Sequence, residues 1–140
     1  MSAISAEDLT TINTLVERLK QQPGALLPIL HGIQEQLGYI PSAATPIIAS
    51  ALMQTRAEIE GVISFYHHFR ATRPGRKQLQ ICRAEACQAR GSRELEKHVQ
   101  VRLGIGYHQT TADQEYSLEP VYCLGNCACG PSVRVGHEII

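Results

Sequence analysis

Two pairs of cysteines constrain the fold of this 140-residue chain more than any other feature of its sequence. Cys82 and Cys87 have four residues between them, whereas Cys123 and Cys127 have three. Both pairs follow segments predicted as strands, so all four cysteines are expected in loops. The thirty-five residues between the pairs are enough for one helix and one strand, which would bring the two loops together.

The number and spacing of these cysteines favour a [2Fe–2S] site. Two loops that each supply two thiolates suit this cluster, because each of its two irons needs two protein ligands. Gly125 and Gly130 support it, since glycine lets backbone N–H groups approach the sulfides of a cluster. The first alternative is structural zinc, which also takes four thiolates but favours two-residue gaps. The second is a thiol–disulfide enzyme, although no C-x-x-C dithiol is present.

Cys129 and the histidines are the other candidate ligands. Cys129 makes a one-residue gap with Cys127 and is expected to be a small buried hydrophobic residue. Histidines replace two cysteines in Rieske centres, and His31, His67 and His68 lie in sequence that is predicted as helical. A complete set of four thiolates leaves no ligand position for these histidines.

Composition and charge exclude several functions. Thirteen basic residues balance thirteen acidic ones and tryptophan is absent, so nucleic-acid binding is not indicated. No apolar run reaches the roughly 18–20 residues that span a bilayer, and the first residues lack the features of a secretory signal. The chain is therefore predicted to be cytoplasmic, where clustered cysteines are more often metal ligands or redox groups than disulfides.

The first half of the chain has helical periodicity, and four helices are predicted in it. The fourth of these helices is expected to run towards Val62. The residues expected to cap the four helices are Ser5 with Asp8, Gly38, Ser42, and Thr55 with Glu58.

After Arg73–Gly75 the periodicity changes to the alternation that is typical of strands. The predicted elements are strands at 77–82 and 116–123, a helix at 95–103 and a hairpin at 132–140. Pro120 lacks a backbone donor and is expected to push its strand towards an edge or a bulge. The boundary at Arg73–Gly75 predicts two domains, 1–73 and 74–140.

At these residues the sequence resembles a known family. Its members are the small thioredoxin-like [2Fe–2S] subunits of respiratory complex I, of NAD-reducing hydrogenases and of soluble NAD-dependent formate dehydrogenases. The similarity extends from about Leu26 to Pro131. The matching segments are Leu27–Gln34, Gly38–Pro41, Glu60–Tyr66, Phe69–Arg70, Cys82–Cys87, Leu103–Gly104 and Cys123–Cys127.

The resemblance implies an α+β fold in which an N-terminal helical bundle is followed by a thioredoxin-like α/β domain. The ligands that it implies for one [2Fe–2S] cluster are Cys82, Cys87, Cys123 and Cys127. It also implies a larger partner flavoprotein that binds FMN and NAD, with the cluster close to the flavin. The chain is therefore expected to transfer electrons as a subunit without a catalytic centre of its own.

Within this family the sequence looks most like the gamma subunit of a soluble NAD-dependent formate dehydrogenase. The small subunit of bacterial respiratory complex I and that of NAD-reducing hydrogenase are the alternatives. Two features depart from the family. Cys129 adds a thiol, and the closing helix that usually follows the final hairpin is missing after Ile140, so a truncated C-terminus is expected.

Several residues near these motifs are expected to have ordinary structural roles. Arg83 and Arg90 flank the first cysteine pair and are expected to be solvated. Phe65, Tyr66 and Phe69 are expected to serve helix packing or partner contact. No Ser/His/Asp set, carboxylate pair or dinucleotide-binding glycine loop is evident, so the chain alone is not expected to bind NAD or formate.

Overall fold

The structure, a computed structural model, describes residues 3–140. It divides into two compact units, Met1–Arg73 and Pro74–Ile140. The first unit is helical and the second contains the sheet, so the predicted α+β class is confirmed. No helix among the described residues is long and apolar enough to cross a lipid bilayer.

Four helices form the first unit. They are α1 (Ala6–Leu19), α2 (Leu26–Leu37), α3 (Ala44–Leu52) and α4 (Arg56–Phe65). Apolar residues recur along them at helical spacing and meet in one core. The largest side chains that are fully buried there are Ile12, Val16, Ile29, Leu30, Ile33, Ile48 and Ile59. Burial of each contributes about 1.5–3 kcal/mol, so this core is the main source of stability in the unit.

Local capping signals define three of the eight ends of these helices. The Ser5 hydroxyl accepts a hydrogen bond from the Asp8 N–H at 3.1 Å. Thr55 and Glu58 form a complete capping box, as predicted. Gly38 ends α2 with a φ of 85°, a left-handed conformation that glycine adopts because it has no Cβ.

Two local predictions are wrong. The Ser42 side chain does not cap α3, because its backbone carbonyl accepts the hydrogen bond from the Thr45 N–H at 3.3 Å. His67 and His68 lie beyond the end of α4 rather than in a helix. The reason is the extended backbone of Tyr66, with φ −90° and ψ 102°, which ends the helix there.

A buried amide fixes the segment that follows α4. Gln34 on α2 is 5% exposed. Its Nε2 donates to the His68 carbonyl at 2.8 Å, and its Oε1 accepts from the Arg70 N–H at 2.8 Å. Phe69 lies between these two residues in the chain. Its side chain is buried in the core, which agrees with the expected role in helix packing. One side chain therefore satisfies two polar backbone groups that helices do not pair.

The second unit is a sheet of five strands with two helices. Its elements are β1 (Lys77–Cys82), α5 (Glu85–Ala89), α6 (Ser92–Leu103), β2 (Gln109–Thr110), β3 (Tyr116–Val121), β4 (Val133–Val135) and β5 (Glu138–Ile139). The strand order is β2–β3–β1–β4–β5, with β1 parallel to β3 and antiparallel to β4. The α5 helix and β2 were not predicted, because five and two residues are too short for a periodic signal.

Pro120 lies in β3, which has a neighbouring strand on each side. The prediction that this strand lies at an edge of the sheet is therefore wrong. The strand tolerates the proline because β2 is short. Among the described strands, β2 pairs with β3 only at Ser117 and Leu118. Pro120 therefore lies beyond β2, and its missing N–H removes no hydrogen bond on that side.

Candidate metal centre

The parallel pairing of β1 and β3 brings the cysteines to one edge of the sheet. Cys82 is the last residue of β1 and lies opposite Val121, the last residue of β3, two positions before Cys123. Because parallel strands end on the same side, the segments that follow them are neighbours. Cys87 lies in α5 and Cys127 begins a 3₁₀ turn, so the expectation that all four cysteines occupy loops is only partly correct.

The two thiol pairs differ in burial. Cys82 and Cys87 are each 1% exposed, and we call them the inner pair. Cys123 and Cys127 are exposed, and we call them the outer pair. Cys129 is exposed as well, so the prediction of a buried hydrophobic residue is wrong. The 3₁₀ turn of residues 127–129 lies at the surface and leaves its third residue uncovered.

The two thiols of the outer pair are in contact. The Sγ atoms of Cys123 and Cys127 are 3.9 Å apart. Two sulfurs bound to one tetrahedral metal at about 2.3 Å are separated by about 3.8 Å, so the outer pair already has the spacing of two ligands. In the inner pair, Cys87 lies near enough to Cys82 to raise the pKa of its thiol, after the larger effect of burial.

Backbone hydrogen bonds connect the two pairs. We call residues 82–87 the inner segment and residues 121–127 the outer segment. The Cys82 N–H donates to the Ser132 carbonyl at 3.1 Å, and the Arg83 N–H donates to the Val121 carbonyl at 2.7 Å. The Ser132 hydroxyl in turn donates to the Asn126 carbonyl, between the outer cysteines, at 3.2 Å. Ser132 therefore contacts both segments, a role that no sequence signal indicated because it depends on the register of β4.

The pKa values of Cys82 and Cys127 are raised, as is typical of closely spaced thiols that bind a metal cation as thiolates. Burial raises the pKa of Cys82, and Cys87 raises it further, while backbone N–H groups of Ala84 and Leu124 lower it. The pKa of Cys127 is raised first by its hydrogen bond and charge interaction with Cys123. Thiolates this close repel one another, and a bound metal removes that repulsion. The residues present therefore fit a thiolate-bound metal group.

Close packing around Cys87 adds to the site. A Cβ placed on Gly130 would lie 3.2 Å from the Cys87 Sγ, which is tighter than an ordinary contact. The Arg90 Nε donates to the Gly130 carbonyl at 3.1 Å. Arg90, expected to be solvated, is thus exposed but tied to the segment that follows the outer pair.

The candidate ligands differ in the unit to which they belong. Among residues 3–140, no group of three or more His, Cys, Asp or Glu side chains is placed to hold a single metal ion. His31, His67 and His68 belong to the first unit, whereas all five cysteines belong to the second. Two pairs of thiols match the ligand pattern of a two-iron cluster, in which each iron takes two cysteines.

A thioredoxin-like sheet with paired thiols beyond its two central parallel strands defines a small metal–thiolate protein. The chain belongs to the thioredoxin-like [2Fe–2S] ferredoxin family, whose model matches residues 12–140. The family predicted from the motifs is thereby confirmed, and with it a [2Fe–2S] cluster as the cofactor.

Similar proteins are subunits of oxidoreductases. The chain is 31% identical over 135 residues to a subunit of NADH-quinone oxidoreductase from Pseudomonas aeruginosa, a match that covers 96% of this chain and 81% of the other. It is 30% identical over 124 residues to the HndA subunit of NADP-reducing hydrogenase from Solidesulfovibrio fructosivorans, covering 89% and 72% of the two chains.

A solved structure has the same fold. The crystal structure of NAD+-reducing [NiFe]-hydrogenase in the air-oxidized state matches with a TM-score of 0.68 and 28% identity over 85% of this chain. The match covers 20% of the hydrogenase chain, so the present chain corresponds to about one fifth of it.

Proposed function

We propose that this chain is a non-catalytic electron-transfer subunit of an NAD-linked oxidoreductase complex in the cytoplasm. The proposed ligands of its [2Fe–2S] cluster are Cys82, Cys87, Cys123 and Cys127. The observation that carries this proposal is the meeting of two thiol pairs at one sheet edge in a member of this family. When bound, a cluster of this type accepts and returns one electron at a time.

The two thiol pairs differ in their access to solvent and therefore in their proposed roles. Burial of Cys82 and Cys87 keeps water away from the inner pair. Exposure of Cys123 and Cys127 leaves the outer pair accessible to a partner, so electrons are exchanged on that side. The Gly125 N–H donates to the Cys123 Sγ at 3.3 Å. Such bonds to sulfur stabilise the more negative state and raise the reduction potential.

The first test is the metal content of the purified full chain, which separates the proposed cluster from structural zinc. We expect about two irons and two acid-labile sulfides per chain. One-electron reduction is expected to produce a rhombic EPR signal. Purified protein that holds zinc and no iron would contradict the proposal, because zinc has no redox chemistry.

The proposed parent complex is a soluble NAD-dependent formate dehydrogenase, with this chain as its gamma subunit. Support comes from the overall resemblance of the sequence to that subunit. The proposed partner is a larger flavoprotein that binds FMN and NAD, next to which the outer thiol pair would lie. A bacterial NADH-quinone oxidoreductase is the second candidate and a hydrogenase the third, and the names of the similar proteins favour these two.

Co-purification of the tagged chain from its own cells tests the parent complex. We expect a flavoprotein with FMN together with a subunit that oxidises formate. Recovery of quinone-reducing or nickel-containing subunits would replace formate dehydrogenase by one of the other candidates and leave the electron-transfer role intact. Recovery of the chain without any flavoprotein would contradict the proposed partner.

A further inference from the structure

Helix α6 contacts residues next to the proposed ligands on one of its faces. The Ser92 hydroxyl, at the start of the helix, donates to the carbonyl of Cys82. One turn further on, the Glu96 carboxylate lies 3.0 Å from the Nε of Arg83, the residue that follows Cys82. Residues 92 and 96 share a helix face because they are four positions apart. The helix therefore supports the inner segment at two consecutive points.

The ion pair between Arg83 and Glu96 is partly shielded from solvent and has further partners. The two side chains are 39% and 18% exposed. The Tyr107 hydroxyl donates to the same Glu96 oxygen at 2.8 Å. The Arg83 guanidinium lies 5.3 Å from the centroid of the Tyr107 ring, a cation–π distance. Arg83 therefore has a defined position although its side chain is still partly exposed, so the expectation of a solvated side chain is only partly correct.

The main chain of Arg83 reaches the outer segment. Its backbone N–H donates to the carbonyl of Val121 at 2.7 Å, two positions before Cys123. One residue thus joins the segment after Cys82 to the segment before Cys123 through its main chain, while its side chain is held by Glu96 and Tyr107 on the other side.

We propose that Arg83 and Glu96 form a positioning pair that fixes the inner and outer thiol segments relative to each other and so holds the bound cluster in place. The inference rests on the proposed function, since it concerns the four proposed ligands. The pair acts through Cys82 and Cys123 rather than by touching the cluster. Residues that orient metal ligands in this way typically change metal affinity by about 10–100-fold when they are replaced.

Two single variants and their combination separate positioning from a simple charge effect. The variants are Arg83→Gln, Glu96→Gln and the double variant, with Glu94→Gln as a matched control because Glu94 is an exposed carboxylate on the same helix. If the pair positions the ligands, either single change breaks the same contact. Both should act in the same direction, and the double variant should be no worse than the worse single variant.

The measurement is made on the full-length protein loaded with its cluster. Loss of the visible absorption in an iron chelator is expected to be about 10-fold faster in each single variant, with altered EPR g values after one-electron reduction. The Glu94→Gln protein should match the wild type. Tyr107→Phe removes only the hydrogen bond to Glu96, and it should speed cluster loss about threefold even if Glu96→Gln does not fold.

Two results would overturn this inference in a wild-type protein that holds two irons. One is cluster loss and EPR at wild-type values in both single variants. The other is a pair of opposite shifts in midpoint potential in Arg83→Gln and Glu96→Gln, with unchanged rates of cluster loss. In that case the removal of one positive and one negative charge explains the shifts, and no positioning role is needed. A wild-type protein without iron would overturn the proposed function and this inference together.

Discussion

Replacing Cys127 with serine is expected to lower cluster occupancy by roughly tenfold or more and to change the remaining spectrum. Cys127 Sγ is 3.9 Å from Cys123 Sγ, so in the proposed site the two bind the same iron and the substitution would leave that iron with a single thiolate. Serine supplies a harder oxygen ligand, which suits an iron–sulfur cluster less well than a thiolate does. Iron and sulfide content, visible absorption and EPR of the purified variant measure the effect.

Cys129→Ser is the matched control for this substitution. Cys129 lies in the same 3₁₀ turn and is exposed like Cys127, but the thiol that lies 3.9 Å from Cys123 Sγ is that of Cys127. The same chemical change should therefore leave the spectrum nearly intact. If Cys129→Ser lost the cluster and Cys127→Ser kept it, the assignment of ligands would be wrong. Equal loss in both would mean that the turn itself, rather than one thiol, is required.

Gln34→Leu is expected to lower the free energy of unfolding of the helical unit by about 3 kcal/mol. The leucine fills similar space but leaves the His68 carbonyl and the Arg70 N–H without the hydrogen bonds that Gln34 makes to them at 2.8 Å each. Loss of a hydrogen-bond partner in a partly buried site costs about 1–3 kcal/mol for each backbone group. The segment after α4 would lose its attachment to α2.

Thermal unfolding followed by the helical circular dichroism signal measures this effect, which corresponds to a decrease in Tm of about 12–24 °C for a unit of this size. Gln36→Leu is the control, because Gln36 is on the same helix and exposed. A Gln34→Leu protein that unfolds at the same temperature as the Gln36→Leu protein would show that the two hydrogen bonds contribute no net stability.

Features that depend on a few neighbouring residues were predictable from the sequence. Thr55 and Glu58 form their capping box because both partners belong to one helical turn. The strand at Lys77–Cys82 was recognisable because alternation is a property of the strand itself. Ser42 shows the limit of such signals, since a backbone carbonyl took the place of its hydroxyl.

Features that depend on distant pairing were not predictable. The exposure of Cys129 and the attachment of Arg90 to the Gly130 carbonyl follow from where the 3₁₀ turn lies. The contacts of Arg83 with Glu96 and Tyr107 join residues 13 and 24 positions apart. No periodic pattern indicates such partners, because they meet only after α6 has packed beside β1.

The cysteine site depends both on local sequence and on distant pairing. The sequence by itself determined the number and spacing of the thiols and the motifs around them, which are local and were enough to predict a [2Fe–2S] protein. Only the tertiary structure decided that Cys82 and Cys87 are buried while Cys123 and Cys127 are exposed. The physical reason is the parallel pairing of β1 with β3, which sets where each segment ends and which neighbours cover it.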